Sequence, residues 1–339
     1  MSFLGEAWRK YKLRLKHRRL LLRALRKRRE LSCVINRTKD IRPDDILCFA
    51  TVRNESVRLP YFLEHHRALG VSQFLIVDNA SDDGTTDYLK SQRDVSLWNT
   101  SKSYRKSRFG MDWLTWLQMR YGRGHWCVTL DADEALMIPH HDTRTLRDLT
   151  TWLDAQGEHV FSALMLDLYP KSQLSEADYT VGTPFTDALG YYDAHGYDWE
   201  RQSKYGNISI RGGPRKRQFF KENPDLAPHM HKTPLIKWHW RYVYVSSTHI
   251  ALPTNLNVGF DARHNLPTGV LLHAKFLDAA LKQSTADSLR KEHFTHPQDY
   301  NAYYDQVMSD PVLWNDASQM YRGWHGLEDD GLLVRGAWE

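Results

Sequence analysis

Three short apolar runs, each breaking off into polar and acidic residues, constrain this chain more than any other feature. Ile46-Leu47-Cys48-Phe49-Ala50-Thr51-Val52 gives way to Arg53-Asn54-Glu55, Phe74-Leu75-Ile76-Val77 to Asp78-Asn79, and Trp126-Cys127-Val128-Thr129-Leu130 to Asp131-Ala132-Asp133-Glu134. Continuous apolar runs of this length suit strands covered on both faces. Between them the pattern turns helical. Leu59, Phe62, Leu63, His66 and Leu69 share one helical face closed by Gly70, and a short helix is expected from about Thr85 to Lys90. Val95 to Trp98 reads as a further strand. Met111 to Tyr121 reads as a helix apolar on most sides, hence deeply buried. Strands alternating with helices predict an α/β fold around a Rossmann-like, doubly wound, mostly parallel sheet. In such sheets ligands sit beyond the carboxyl ends of the strands, which is where these acidic residues fall.

The 339 residues are 41% hydrophobic and 26% charged, as in a folded chain of about two domains or one with a sizeable insertion. Thr38 to Asp45 reads as a linker into the folded body, whose first half is placed at 44–160 and is followed by an α+β region at 161–339. In that region Phe161 to Leu168 predicts a strand, and a Tyr- and Gly-rich stretch runs to Arg217. Leu235 to His249 alternates like antiparallel strands, Val270 to His273 is a short strand, and helices are expected over Ala274–Glu292 and Tyr300–Met308. No run approaches the roughly 18 apolar residues that cross a bilayer, and no signal-peptide pattern opens the sequence. Cys33, Cys48 and Cys127 form neither a disulfide framework nor a CxxC metal module, so the cytoplasm is the expected setting.

The net charge of +5 is unevenly placed. From Glu6 to Glu30 there are twelve Lys/Arg against two Glu, so the remaining residues carry a net of −5. Within this arm, taken as residues 1–37, Trp8, Tyr11, Leu15, Leu22 and Leu25 recur at helical spacing, predicting a basic amphipathic helix. A solvated helix, an anionic membrane surface and nucleic acid all suit such a segment. No nucleic-acid-recognition motif accompanies it, and the expectation taken forward is peripheral docking of residues 6–30 on the inner face of the cell membrane.

Two carboxylates one residue apart at a strand end repel each other unless a cation or donors offset them. Hard divalent cations such as Mn²⁺ or Mg²⁺ take oxygen ligands and keep positions open for phosphate. Asp131-Ala132-Asp133 is therefore a candidate metal–diphosphate site.

A set of motifs in order carries a resemblance. Val52-Arg53-Asn54-Glu55, Leu63-Glu64-His65-His66-Arg67-Ala68-Leu69-Gly70-Val71, Val77-Asp78-Asn79-Ala80-Ser81-Asp82-Asp83-Gly84-Thr85 and Leu130-Asp131-Ala132-Asp133-Glu134 resemble the glycosyltransferase family 2-like group with a GT-A fold, over roughly residues 45–140. Arg211-Gly212-Gly213-Pro214-Arg215-Lys216-Arg217, Ser247-Thr248-His249 and Leu271-Leu272-His273-Ala274-Lys275-Phe276 match more loosely, and the basic arm lies outside.

The resemblance implies a UDP- or GDP-sugar donor and a glycan or lipid-linked acceptor. Glu55 would hold the ribose and Asp78 the base, with Arg53 and Asp83 beside them, although either acid also suits a helix cap. Asp131 would contact the ribose or a metal-bound water, and Asp133 the metal. His273 would complete the metal site or be a buried structural histidine, with His249 a weaker candidate. Arg108 and Lys106 would face the diphosphate or solvent. Gly212-Gly213 would admit phosphate or acceptor, or simply turn the chain, with Arg215 and Arg217 adding charge. Many members carry an acidic pair before a helix as the base of an inverting reaction. No clean equivalent is present, which leaves Asp187, Asp193, Asp198 and Glu200 as candidates. The expected function is metal-dependent glycosyl transfer in cell-surface polysaccharide synthesis. The alternatives are a sugar-phosphate nucleotidylyltransferase, for which the loop after the first strand lacks the usual Gly-rich pattern, and a non-catalytic glycan-binding module.

Overall fold

The computed structural model describes residues 3–277, 303, 305–307 and 309–339. A nine-stranded sheet forms its centre. In chain order the strands are β1 (Ser32–Ile35), β2 (Leu47–Val52), β3 (Gln73–Asp78), β4 (Val95–Asn99), β5 (Trp126–Thr129), β6 (Glu134–Met137) and β7 (Val160–Asp167). The next three, β8 (Tyr191–Asp193), β9 (Asp198–Arg201) and β10 (Ile208–Arg211), lie outside it. They are followed by β11 (His231–Lys237), β12 (Val243–Ser246), β13 (Ile250–Leu252), β14 (Thr268–His273) and β15 (Ser318–Met320). The spatial order of the main sheet is β1-β4-β3-β2-β5-β11-β7-β14-β6, and β9/β10, β12/β13 and β8/β15 form small two-stranded sheets.

Strands β4, β3, β2 and β5 pair in parallel, as do β7 and β14. Antiparallel β11 sits between the two blocks and gives them the same sense, while β1 and β6 run antiparallel at the edges. The expected Rossmann-like, mostly parallel α/β class is therefore observed. The strand direction also has a local effect. The carboxyl ends of the six like-directed strands meet the amino ends of β6 and β11 at one rim.

Period-2 alternation decides which face each side chain covers. Cys48, Ala50 and Val52 of β2 pack with Phe74 and Ile76 of β3 beneath α2 (Leu59–Ala68) and the helix Leu146–Gln156. Leu47 and Phe49, with Leu75 and Val77, face the opposite layer, where the helix Met111–Tyr121 contributes Met111, Trp113, Leu114 and Leu117. Each fully buried Leu, Val or Phe contributes about 1.5–3 kcal/mol. In chain order the helices are α1 (Phe3–Lys27), α2, α3 (Thr85–Ser91), α4 (Met111–Tyr121), α5 (Leu146–Gln156), α6 (Phe185–Ala188) and α7 (Gly323–Asp329). Thr145 and Asp148 close a capping box that fixes where α5 starts.

Three expectations need correction. Residues 32–37 are not all part of a separate arm, because β1 pairs with β4 through Ser32, Cys33 and Ile35. The proposed boundary at 160 does not separate two sheets, because β7, β11 and β14 join the same one. Strand β6 was not anticipated, since only four residues separate it from β5. The helices expected over Ala274–Glu292 and Tyr300–Met308 fall largely outside the described residues.

Gly110 starts α4 with φ +77°, and a Cβ there would meet the Thr51 side chain of β2. Gly124 has φ +86° with open space around its Cβ position. Gly124→Ala should cost about 1–2 kcal/mol from left-handed backbone strain alone. Gly110→Ala should cost roughly 1–3 kcal/mol more from overpacking, measured as the difference in urea midpoint between the two variants.

Candidate functional site

The rim is built around one row of residues. Register places His273 of β14 beside Asp167 of β7 on one side and Glu134 of β6 on the other. The His273 Nδ1 lies 2.6 Å from Asp167 Oδ1 and its Nε2 lies 3.2 Å from Asp133 Oδ2. Asp133 belongs to the turn between β5 and β6, held by the Ala274 N–H donating to its carbonyl at 2.8 Å. Burial alone would lower the His273 pKa, but Asp133 and Asp167 overcome it and raise it to about 9. Both ring nitrogens then donate. Burial would raise Asp133, yet His273, with Lys275 and Arg58, holds it far below the carboxylate range. Asp167 is likewise held low against burial by Arg215, whose Nε donates at 2.7 Å, and by His273. Arg215 opens a single π-helical turn, Arg215–Phe219, that directs it inward.

Beside this row lies a buried lysine. The antiparallel pairing that sets Leu235 opposite Val128 carries Lys232 level with Asp131. The Lys232 Nζ lies 3.0 Å from Asp131 Oδ2 and also bonds Glu134, whose other oxygen accepts the Asp131 N–H at 3.2 Å. The two carboxylates raise the Lys232 pKa against burial. Burial pushes Glu134 up to about 7 despite Lys232. Asp131 alone of these groups is well open, with 44% of its side chain exposed.

A third group enters from the β2 end. Arg58, buried in the first turn region of α2, donates to Glu55 at 2.8 Å and also lowers Asp133. The Tyr104 phenol is raised first by burial, then by Asp131 and Asp133, with Glu55 adding to it. Asp131 and Asp133 from the β5 end and Glu55 from the β2 end thus all lie near enough to Tyr104 to act on it. Arg53, at the same strand end, has a buried Nε with no partner.

The remaining expected residues are used otherwise. Asp78 is fully buried and accepts from the Ser81 N–H at 3.0 Å, from the Ser81 hydroxyl at 2.6 Å and from Thr86. It anchors its own turn. Asp83 accepts from the Ser56 and Thr85 N–H groups at 3.0 Å each, joining the β2 and β3 loops. Arg108 is spent on Asp112 at 2.7 Å and on the Tyr244 carbonyl, tying α4 to β12, and Lys106 is exposed. Among the base candidates, Asp193 accepts from Tyr169 and from Arg217 at 3.0 and 3.1 Å. Asp187 is exposed on α6, while Asp198 and Glu200 are exposed on β9, Asp198 paired with Lys216. His249 bonds the His231 carbonyl at 2.6 Å within a separate group of His229, His231 and His249. Gly212 makes room for the Tyr197 ring.

The metal expectation changes most. Asp131 turns to Lys232 and Asp133 to His273, so protein cations already offset the repulsion that argued for a metal. Among the described residues no three His, Cys, Asp or Glu side chains are arranged so as to hold one metal ion. Asp133 and His273 are two donors of suitable chemistry, and the fit extends no further. Reading the sequence missed Lys232, Asp167, Tyr104 and Arg58. Asp167 had a signal, an acid ending a buried run. Lys232 had none, because its partners lie about a hundred residues away.

No family model matches this chain, and no curated protein matches it. Similar solved structures include a UDP-glucose pyrophosphorylase from Acinetobacter baumanii, 10% identical, covering 78% of this chain and 99% of that one at a TM-score of 0.29. A glucose-1-phosphate thymidylyltransferase from Bacillus anthracis is 9% identical, with 77% and 82% covered, at 0.29. A 4-diphosphocytidyl-2C-methyl-D-erythritol synthase is 12% identical, with 41% of this chain and 66% of that one covered, at 0.25. At these values the likeness carries no functional argument.

Two outcomes follow from the charge network. With EDTA present, the stabilisation from His273 is complete below about pH 6.5 and is lost as pH rises through about 9, because its folded pKa is the higher one. Stability should therefore fall between those values, and His273→Gln should flatten that slope in pH-resolved denaturant titrations. Lys232→Met leaves Asp131 and Glu134 uncompensated and should cost about 3–5 kcal/mol, measured by urea unfolding at pH 7.5.

Proposed function

We propose that this chain acts on nucleotide-sugars at the carboxyl rim of its sheet, and that its reaction is glycosyl transfer to a glycan or lipid-linked saccharide. The observation that carries the reading is the placement of Glu55, Asp131 and Asp133 just past the ends of β2 and β5, with Arg58 paired to Glu55, Lys232 to Asp131 and His273 to Asp133. Acids there suit ribose and sugar hydroxyls, and cations suit a diphosphate. Breaking the anomeric C–O bond sends its electron pair to the nucleoside diphosphate while the acceptor oxygen bonds to carbon. Fixed cations in a buried setting stabilise that departing charge without reorganising. Arg58 and Lys232 are placed for this by partners they already hold. Arg53 offers a further buried donor. A divalent cation (Mn²⁺ or Mg²⁺) bound with the diphosphate would add Lewis-acid stabilisation, with Asp133 and His273 as its protein donors. The acceptor proton must pass to a carboxylate within reach, and none of Asp187, Asp193, Asp198 and Glu200 is assigned that part.

Nucleotidylyl transfer is the second reading. It is the chemistry by which the similar UDP-glucose pyrophosphorylase and glucose-1-phosphate thymidylyltransferase are named. Against it stands the β2–α2 loop, Arg53 to Arg58, which contains no glycine to wrap a triphosphate.

Product analysis separates the two. Incubation with UDP- and GDP-sugars and Mn²⁺ should release nucleoside diphosphate. Addition of pyrophosphate should yield no nucleoside triphosphate and sugar 1-phosphate. Asp133→Asn should lower release at least a hundredfold with the far-UV spectrum unchanged. Triphosphate formation would instead establish the second reading, and undiminished release by the variant would remove Asp133 from the site.

A further inference from the structure

The N-terminal helix is docked on the body, and its docking leaves a particular face outward. Leu20 and Ala24 of α1 are buried, with Leu13 and Leu21 beside them against Tyr205, Val243 and Leu252. Arg23 pairs with buried Asp112 of α4 at 2.8 Å, and the Trp113 indole donates to Glu30 at 2.9 Å. At 100° per residue the opposite face carries Trp8, Tyr11, Leu15, Leu22 and Leu25 within a stripe about 100° wide. These side chains are 57, 51, 46, 54 and 37% exposed. Trp8 and Tyr11 stack at one end, their ring centroids 5.6 Å apart, with the Lys12 ammonium 5.1 Å from the Trp8 ring. Exposed Lys10, Lys12, Arg14 and Arg19 lie beyond the stripe, Arg26 on its edge and Arg18 within it, and Glu6 is the one exposed acid among residues 5–30.

We infer that this face lies on an anionic bilayer, with the five apolar side chains at the acyl boundary and the flanking cations on the headgroups. An exposed apolar stripe bordered by basic side chains, with Arg18 long enough to snorkel from within it, suits an interfacial helix, and a Trp–Tyr pair suits the headgroup level. A second copy of this chain would set like charges against each other across a two-fold axis. A nucleic acid would engage the basic margins and leave the apolar stripe in water. No helix among the described residues is long and apolar enough to cross a membrane, so the contact is with the surface. This inference stands apart from the proposed activity, since no rim residue takes part.

Removing residues 1–30 would strip Leu20, Ala24 and Glu30 from the body, so the test uses substitutions on the outward face of the full chain. Wild type should float with vesicles of 40% phosphatidylglycerol in phosphatidylcholine and not with pure phosphatidylcholine. W8S/L15S/L22S/L25S should lose at least tenfold in vesicle binding with its melting temperature unchanged. R14E/R18E/R19E/R26E should lose binding likewise. Failure of wild type to float, equal binding by the apolar variant, or a wild-type dimer that the apolar variant dissociates without any vesicle binding would each overturn the inference. Binding to single-stranded RNA that survives the apolar variant, in the absence of flotation, would overturn it in favour of nucleic acid.

Discussion

An imidazolium clamped between two carboxylates organises the rim. Isolated inside a protein, His273, Asp133 or Asp167 would cost several kcal/mol to keep charged. Held together, and extended through Arg215, Arg58 and Lys232, the charges alternate in sign, and each supplies the condition for the next. Such a network is rigid, because moving one member leaves another buried without a partner. The acidic Asp131-Ala132-Asp133 turn is stable at rest because two protein cations divide it, Lys232 taking the first acid and His273 the second.

That arrangement depends on strands running against the majority. A purely parallel sheet brings only carboxyl ends to the ligand rim. Here β11 enters between β5 and β7 in the opposite sense and delivers Lys232 from its amino end, and β6 delivers Glu134 in the same way at the edge. The loops that link the strand ends are held independently of any ligand. Asp78, Asp83 and Asn54 take up the N–H and hydroxyl groups of the β2 and β3 turns. On that side Arg58 is buried and pairs with Glu55. The rim thus divides into residues that hold the backbone and residues that hold one another's charge.

The basic helix follows the same logic of partnership. Arg23 finds the buried acid Asp112 in the body, and Lys27 pairs with Glu30 in the turn that follows the helix. Among the described residues its outward apolar side chains stay exposed. A stripe of that kind on a helix fixed to a folded body defines a plane, and the rest of the molecule is oriented with respect to it.

Much of the architecture was legible in residue order alone. Continuous apolar runs over 46–52, 74–77 and 126–130, and the helical spacing over 59–69 and 111–121, are local signals of strand and helix, which need no distant partner. The gathering of acids at strand ends was legible for the same reason, as was the amphipathic arm. What each acid does was not. Asp78 is held by Ser81 and Thr86 close by in the chain, but the pairing of Asp131 with Lys232 and the face of α1 that turns inward are set by residues remote in the chain. A carboxylate's role is set by the charge nearest to it in space, and only the folded sheet, by its strand order and register, brings Lys232 to Asp131 and His273 to Asp133.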